Sequence, residues 1–128
     1  MTTDLWMLLG SVALTLALIV GSATPTLLGH PRWALGNRDD PHPGRAGATA
    51  RAHRTSENMK ENLVLFAILV LIVHVAGKAS SLSALGAQVF LGARVVHAVL
   101  YIVGVPYVRT LAWMVGISGM LMVTAALF

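Results

Sequence analysis

The chain has 128 residues, of which 56% are hydrophobic and only 11% are charged. Soluble domains carry about 25% charged residues, so this composition, with its mean hydropathy of +0.76, excludes an ordinary soluble domain and indicates a membrane protein. Nine Lys and Arg against five Asp and Glu give a net charge of +4. The absence of cysteine excludes disulfides, thiolate metal sites and cysteine nucleophiles.

The first apolar segment predicts a transmembrane helix over about 5–28, since a spanning helix needs roughly 20 apolar residues. Pro25 lies inside this segment, and we expect it to bend the helix or end it early. The segment follows no basic n-region and is too long for the h-region of a signal peptide, so we expect it to be retained. A hydrophilic connection rich in proline, glycine and arginine follows over about 29–48.

Three more spans are predicted over about 49–76, 82–103 and 107–128. The second starts in polar sequence and becomes apolar at Leu63, so we expect it to begin outside the hydrocarbon. Gly104-Val105-Pro106 separates the third span from the fourth. The sequence therefore predicts one all-α transmembrane four-helix domain over 1–128.

Arginine and lysine are concentrated at one end of these predicted helices. The long connection and the start of the second span hold five arginines, and Arg109 lies on the same side, whereas the opposite side has Lys78. Because basic residues favour the cytoplasmic side, the long connection is predicted to be cytoplasmic and both termini to lie across the membrane. We expect membrane lipids as partners and no nucleic acid.

Two groups of polar residues interrupt the apolar sequence near this basic end. On the second span, an arc of about 80° at about 100° per residue holds four of them: Arg51, Arg54, Asn58 and Glu61. On the third span, an arc of about 60° holds three: Arg94, His97 and Tyr101. Charges within a membrane usually face a protein interior or a wet cavity, so we expect the two groups to converge.

Guanidinium groups match carboxylates because two parallel N–H donors meet two oxygens. The converging groups therefore predict a pocket for a small polyanion. Arginines at a cytoplasmic helix end also occur as topology determinants or contacts to phospholipid headgroups, and interhelical ion pairs are a further alternative. The five histidines show no metal-ligand spacing, so no metal site is predicted.

The spacing of these residues resembles the MAPEG family, the membrane-associated proteins in eicosanoid and glutathione metabolism. The resemblance is carried by Arg51-x-x-Arg54-x-x-x-Asn58-x-x-Glu61, by Arg94-x-x-His97-x-x-x-Tyr101 and by Arg109-Thr110. The Leu-Gly-Asn-Arg-Asp-Asp stretch at 35–40 is similar to the bacterial branch of the family. The segment from Tyr101 to Arg109 is one residue shorter than in the prostaglandin-synthase type, and Arg32 is the nearest match to an arginine late in helix one of mammalian members.

The resemblance implies a homotrimer with glutathione bound at each subunit interface near the cytoplasmic face. It implies that one subunit contributes Arg54, Asn58 and Glu61, with Arg51 at the rim. Its neighbour would contribute four residues: Arg94, His97, Tyr101 and Arg109. Arg109 would stabilise the glutathione thiolate as a catalytic residue, and the Thr110 hydroxyl could donate to the sulfur.

The resemblance implies a glutathione-dependent transferase or peroxidase that acts on lipophilic small-molecule electrophiles in a bacterial inner membrane. The alternative is a non-catalytic membrane protein whose cationic pocket binds a lipid headgroup or another small anion. A four-helix cation exporter is disfavoured, because such proteins need an acidic residue deep in a span, and the first span has only Asp4 at its start.

Overall fold

The computed structural model describes residues 1–128 and is entirely α-helical, which confirms the predicted fold class. Its helices are α1 (Thr3–Gly29), α2 (Pro31–Leu35), α3 (Gly47–Val75), α4 (Ser81–Val103) and α5 (Pro106–Ala125). The four long helices are each long and apolar enough to cross a membrane, and their ends lie within a few residues of the predicted spans. The chain is an integral membrane protein.

Helix α1 does not end early at Pro25, contrary to one of the two outcomes expected from the sequence. Proline removes one backbone donor, but membrane helices tolerate it where nearby hydroxyl groups satisfy backbone carbonyls. The carbonyl oxygen that loses its helical donor at Pro25 is that of Gly21, and the Thr24 hydroxyl donates to the neighbouring Val20 carbonyl oxygen at 2.7 Å. The His30 amide still donates to the Thr26 carbonyl oxygen at 2.8 Å, so the helix continues for a further turn beyond the proline.

The connection between α1 and α3 contains the short helix α2, which the sequence did not reveal. Five residues are too few to show a helical period in the hydrophobic pattern. Pro31 occupies the first turn of α2, where its missing N–H has no helical partner to lose. The Trp33 indole N–H donates to the Asp40 carbonyl oxygen at 2.9 Å, which folds the connection back against α2.

Helices α4 and α5 pack closely through glycines. A Cβ atom at Gly86 would lie 2.7 Å from the Gly119 carbonyl oxygen, and one at Gly119 would lie 2.6 Å from the Gly86 carbonyl oxygen. Small residues of this kind let membrane helices approach closely and gain van der Waals contact. Gly104, with φ of 96°, reverses the chain between the two helices.

The centre of the bundle is apolar, and α1 joins it both through partly buried apolar side chains such as Leu14 and Leu18 and through fully buried polar ones. The rings of Phe66 and Phe90 stack with their centroids 3.9 Å apart at the interface of α3 and α4. The buried residues of α1 are all polar: Asp4, Ser11, Thr15, Ser22 and Thr26. Most of their hydroxyls donate within α1, as Thr15 does to the Ser11 carbonyl oxygen at 2.7 Å, so these groups are satisfied without water.

A buried carboxylate joins the starts of α1 and α4. Asp4 is 2% exposed, and its Oδ2 accepts a hydrogen bond from the Ser83 hydroxyl at 2.8 Å. Ser83 also forms the capping box of α4 with Ser80. These starts lie at the end of the bundle opposite the long connection. The start of α3, the end of α4 and the start of α5 therefore meet at the other end.

Candidate functional site

The two predicted polar groups meet at this basic end of the bundle, where Arg94 of α4 contacts α3. Arg94 is 1% exposed. Its Nη2 donates to Asn58 Oδ1 at 2.6 Å, and its Nε donates to the Met59 thioether sulfur at 3.4 Å. A charged donor makes a shorter and stronger hydrogen bond than a neutral one, so this contact fixes the guanidinium between the two helices.

The Arg94 guanidinium is not fully satisfied by the protein. Its Nη1 is buried and has no hydrogen-bond partner, and no carboxylate forms an ion pair with Arg94, since both ion pairs of the chain involve Glu57. A buried charge without a counterion is costly. The free donor therefore marks a position where an acceptor from another molecule would stabilise the site.

His97 lies one turn further along α4 and links that helix to α5. Its Nδ1–H donates to the Arg109 carbonyl oxygen at 2.9 Å. Because a carbonyl oxygen can only accept, this bond fixes the tautomer of the neutral ring and leaves Nε2 as an acceptor. Nε2 is buried without a partner, so the imidazole offers an unused acceptor one helical turn from Arg94, which has the unused donor.

Tyr101 and Arg109 complete this group at the end of α4 and the start of α5. The Arg109 guanidinium carbon lies 4.1 Å from the centroid of the Tyr101 ring, a cation–π distance. The His97 ring meets Tyr101 edge-on at 5.5 Å. Arg109 is half-buried, whereas Thr110 beside it is exposed.

Arg51 forms its hydrogen bond within the chain. Its Nε donates to the Ile102 carbonyl oxygen at 2.9 Å, and its guanidinium carbon lies 3.3 Å from the position that a Cβ atom at Gly104 would occupy. Arg51 thus supports the end of α4 and the turn before α5. This contact accounts for Arg51 structurally and leaves it at the rim of the polar group.

The four polar residues predicted to share one side of α3 divide into an inner pair, which faces α4, and an outer pair. Arg51 and Asn58 are half-buried against α4, whereas Arg54 and Glu61 are exposed. At about 100° per residue the exposed pair is rotated by roughly 40–80° from the inner pair, which explains the division. Neither Arg54 nor Glu61 has an ion-pair partner within the chain.

The family resemblance implies an arrangement shared between subunits, and one of its residue pairs is in contact within a single chain. That arrangement takes Asn58 from one subunit and Arg94 from its neighbour, yet the two residues are hydrogen-bonded within one chain. A single chain therefore supplies the inner group, which consists of Asn58, Arg94, His97, Tyr101 and Arg109. Arg54 and Glu61 face outward from it.

Three members of the inner group are partly exposed, namely Asn58, Tyr101 and Arg109, whereas Arg94 and His97 are buried. The largest concavity, of about 570 Å³, is elsewhere, over residues 29–40 of the long connection. Exposed charges such as Arg54 and Glu61 would cost about 3 kcal/mol or more each if they faced lipid at the bilayer centre. Their position on α3 favours a covering partner or a location near the membrane surface.

Three partners of the site were not foreseen. They are the Met59 sulfur and the carbonyl oxygens of Ile102 and Arg109. Met59 follows Asn58 directly, but an apolar side chain in a span gives no signal of a polar contact. Backbone acceptors carry no sequence signal, because every residue has one.

Comparison with known proteins gives one result. The family model described as the MAPEG family matches residues 5–128, which is essentially the whole chain and includes both polar groups. No curated protein matches the chain. No solved structure matches it either.

Proposed function

The chain belongs to the MAPEG family, and we propose that it is a glutathione-dependent membrane transferase or peroxidase acting on lipophilic electrophiles. Membership places it among membrane proteins of glutathione and eicosanoid metabolism. The observation that supports the proposal most is the buried guanidinium of Arg94 with its unpartnered Nη1, together with the unpartnered Nε2 of His97 one turn away on α4. This arrangement has a donor and an acceptor ready for a polar ligand.

Glutathione matches the charges that the site presents. It carries two carboxylates, one ammonium group and two amides. Arg54 and Arg94 are suited to the carboxylates, because guanidinium and carboxylate form paired charge-assisted hydrogen bonds. Glu61 is suited to the ammonium group, and His97 Nε2 can accept from an amide N–H. These residues fit the tripeptide better than a simple monoanion.

Arg109 and Thr110 are the proposed catalytic residues. A guanidinium close to the sulfur favours the thiolate over the thiol and so supplies the nucleophile at neutral pH. In conjugation, the thiolate attacks an electrophilic carbon, a C–S bond forms, and the leaving group departs with its electron pair. The Thr110 hydroxyl could donate to the sulfur. Tyr101, under the Arg109 guanidinium, positions that residue.

We further propose a homotrimer in a bacterial inner membrane, with the long connection in the cytoplasm. In this arrangement the exposed side chains of Arg54 and Glu61 lie at the interface with a neighbouring subunit. The inner group, supplied by one chain, lies next to the same interface. Glutathione would enter from the cytoplasm and the apolar substrate from the bilayer. Holding both reactants in contact supplies much of the rate enhancement.

The test is glutathione conjugation to an activated aryl chloride by the purified full-length protein. Chloride release and the absorbance of the product measure the reaction. We expect turnover in the wild type and none in Arg109→Ala. Lys78→Ala removes a cation at the opposite end of the helix bundle and should turn over as the wild type does. Normal turnover in Arg109→Ala would refute the role of Arg109. Saturable glutathione binding without conjugation or peroxide reduction would instead support a non-catalytic binding protein.

A further inference from the structure

A second cationic site lies in the long connection, and it shares no residue with the proposed glutathione site. It is a cavity of about 300 Å³ between the end of α1, helix α2 and two arginines of the connection. Five of its eight lining residues are hydrophobic, and they include Leu27, Trp33 and Leu35. Arg38 and Arg45 are its only charged members. The cavity therefore combines an apolar wall with two positive charges.

Neither arginine is neutralised by the protein. Arg38 directs both Nε and Nη2 to one acceptor, the Ala34 carbonyl oxygen, at 3.3 and 3.1 Å. Arg45 has an Nε that is buried without any partner. Although Asp39 and Asp40 adjoin Arg38 in the chain, neither forms an ion pair with it. The two guanidinium groups are thus available to an external anion.

The backbone and the aromatic residues hold this arrangement in place. Arg38 has a φ of 60°, a left-handed conformation that is uncommon for a residue other than glycine. Its guanidinium carbon lies 5.3 Å from the Trp33 ring centroid, and His42 meets the same ring edge-on at 4.5 Å. The cavity wall therefore has a fixed tryptophan with a cation beside it.

His42 adds a further unused donor near the tryptophan. Its Nδ1 accepts a hydrogen bond from the Gly44 amide at 2.9 Å, so the neutral ring carries its proton on Nε2. Burial and then the nearby Arg45 guanidinium lower the pKa of His42 below its usual 6.5, which favours this neutral form. Nε2 is buried without an acceptor.

We propose that this cavity binds one anionic phospholipid, with the phosphate on Arg38 and Arg45 and the upper part of an acyl chain against Leu27 and Leu35. Guanidinium groups pair with phosphate oxygens in a bidentate manner, and tryptophan is enriched at the membrane–water interface. The site follows directly on the end of a spanning helix, where lipid headgroups lie. A soluble anion would leave the apolar wall unused.

The test compares lipids bound to the detergent-purified full-length protein. We expect phosphatidylglycerol to be retained in native mass spectrometry and to raise the unfolding temperature, while phosphatidylcholine at the same concentration does neither. The double variant Arg38→Gln/Arg45→Gln should lose phosphatidylglycerol affinity by about tenfold or more, since both charged donors to the phosphate are removed. The matched control Arg32→Gln/Lys78→Gln changes the net charge equally and should bind as the wild type does.

Equal losses in the two double variants would overturn the proposal, because they would show a response to net charge alone. An equal temperature shift with inorganic phosphate would overturn the assignment to a lipid. If the Arg38/Arg45 variant does not fold, a second variant provides the test with both arginines intact. In Trp6→Phe/Trp113→Phe, Trp33 is the only tryptophan, and its fluorescence is measured. Brominated phosphatidylglycerol should quench Trp33 more than brominated phosphatidylcholine does, and equal quenching would contradict the site.

Discussion

Arg94 Nη2 lies 2.6 Å from Asn58 Oδ1, and this contact joins α4 to α3 at the proposed glutathione site. Asn58 is the only side-chain oxygen that Arg94 meets, as the Met59 sulfur at 3.4 Å is a weak acceptor. The hydrogen bond therefore has two consequences. It stabilises a buried cation, and it sets the direction in which the free Nη1 is presented to a ligand.

Replacing Asn58 by alanine should destabilise the fold, because the buried Arg94 guanidinium would then lose its best acceptor. We expect the free energy of unfolding to fall by about 1–3 kcal/mol, measured by denaturant unfolding in detergent micelles. Asn37→Ala is the matched control, since Asn37 is exposed in the long connection. Equal stability of the two variants would show that the Arg94 hydrogen bond contributes little.

His97 should act through Arg109. His97→Phe retains an aromatic ring against Tyr101 but cannot donate to the Arg109 carbonyl oxygen, so the start of α5 loses its link to α4. We expect conjugation turnover to fall about tenfold or more and His97→Gln, which keeps a donor, to recover part of it. His74→Phe is the control, as His74 is exposed near the far end of α3. Full activity in His97→Phe would contradict this positioning role.

The contact between Gly86 and Gly119 predicts a sharp difference between two glycines of α4. A Cβ atom at Gly86 would meet backbone of α5 at 2.7 Å, whereas one at Gly92 would meet nothing within 4 Å. Gly86→Ala should cost about 1–3 kcal/mol of stability, and Gly92→Ala should be neutral or stabilise by up to about 1 kcal/mol. Thermal unfolding of both variants measures this, and equal melting temperatures would show that α4 and α5 can separate without cost.

Asp4 and Ser83 should be energetically coupled across the far end of the bundle. A hydrogen bond to a buried carboxylate contributes about 1.5–3 kcal/mol, and a double-mutant cycle isolates it from the other losses of each single variant. We expect Asp4→Ala and Ser83→Ala to destabilise together by less than the sum of their separate effects. Strict additivity would mean that the contact does not hold α1 against α4.

The four spans were predictable because long apolar runs have few alternatives to a spanning helix. The grouping of Arg51, Arg54, Asn58 and Glu61 on one side of α3 also followed from helical period alone. Helical period did not predict which of these four residues face α4. The rotation of a helix is set by packing contacts such as that of Arg94 with Asn58, and these contacts join residues far apart in sequence. The assignment of ligand and roles to this group stays a prediction.

Local features of the connection were harder to predict. Helix α2 has only five residues, and Trp33 is held there by a backbone oxygen that carries no sequence signal. The sequence allowed α1 either to bend or to end at Pro25, and the outcome depends on the contacts of the folded helix. In each case the sequence specifies the residue type, while the contact depends on the geometry of the fold.

Calorimetric titration of glutathione into the purified wild-type protein, Arg54→Gln and Lys60→Gln tests the central claim most directly. Both substituted side chains are exposed cations of α3, so the comparison separates the outward edge of the site from charge in general. We predict saturable binding to the wild type and to Lys60→Gln, and affinity lower by about tenfold or more in Arg54→Gln, in line with loss of a charged hydrogen bond. No heat from the wild type at millimolar glutathione, or equal affinity in all three proteins, would contradict the proposed site.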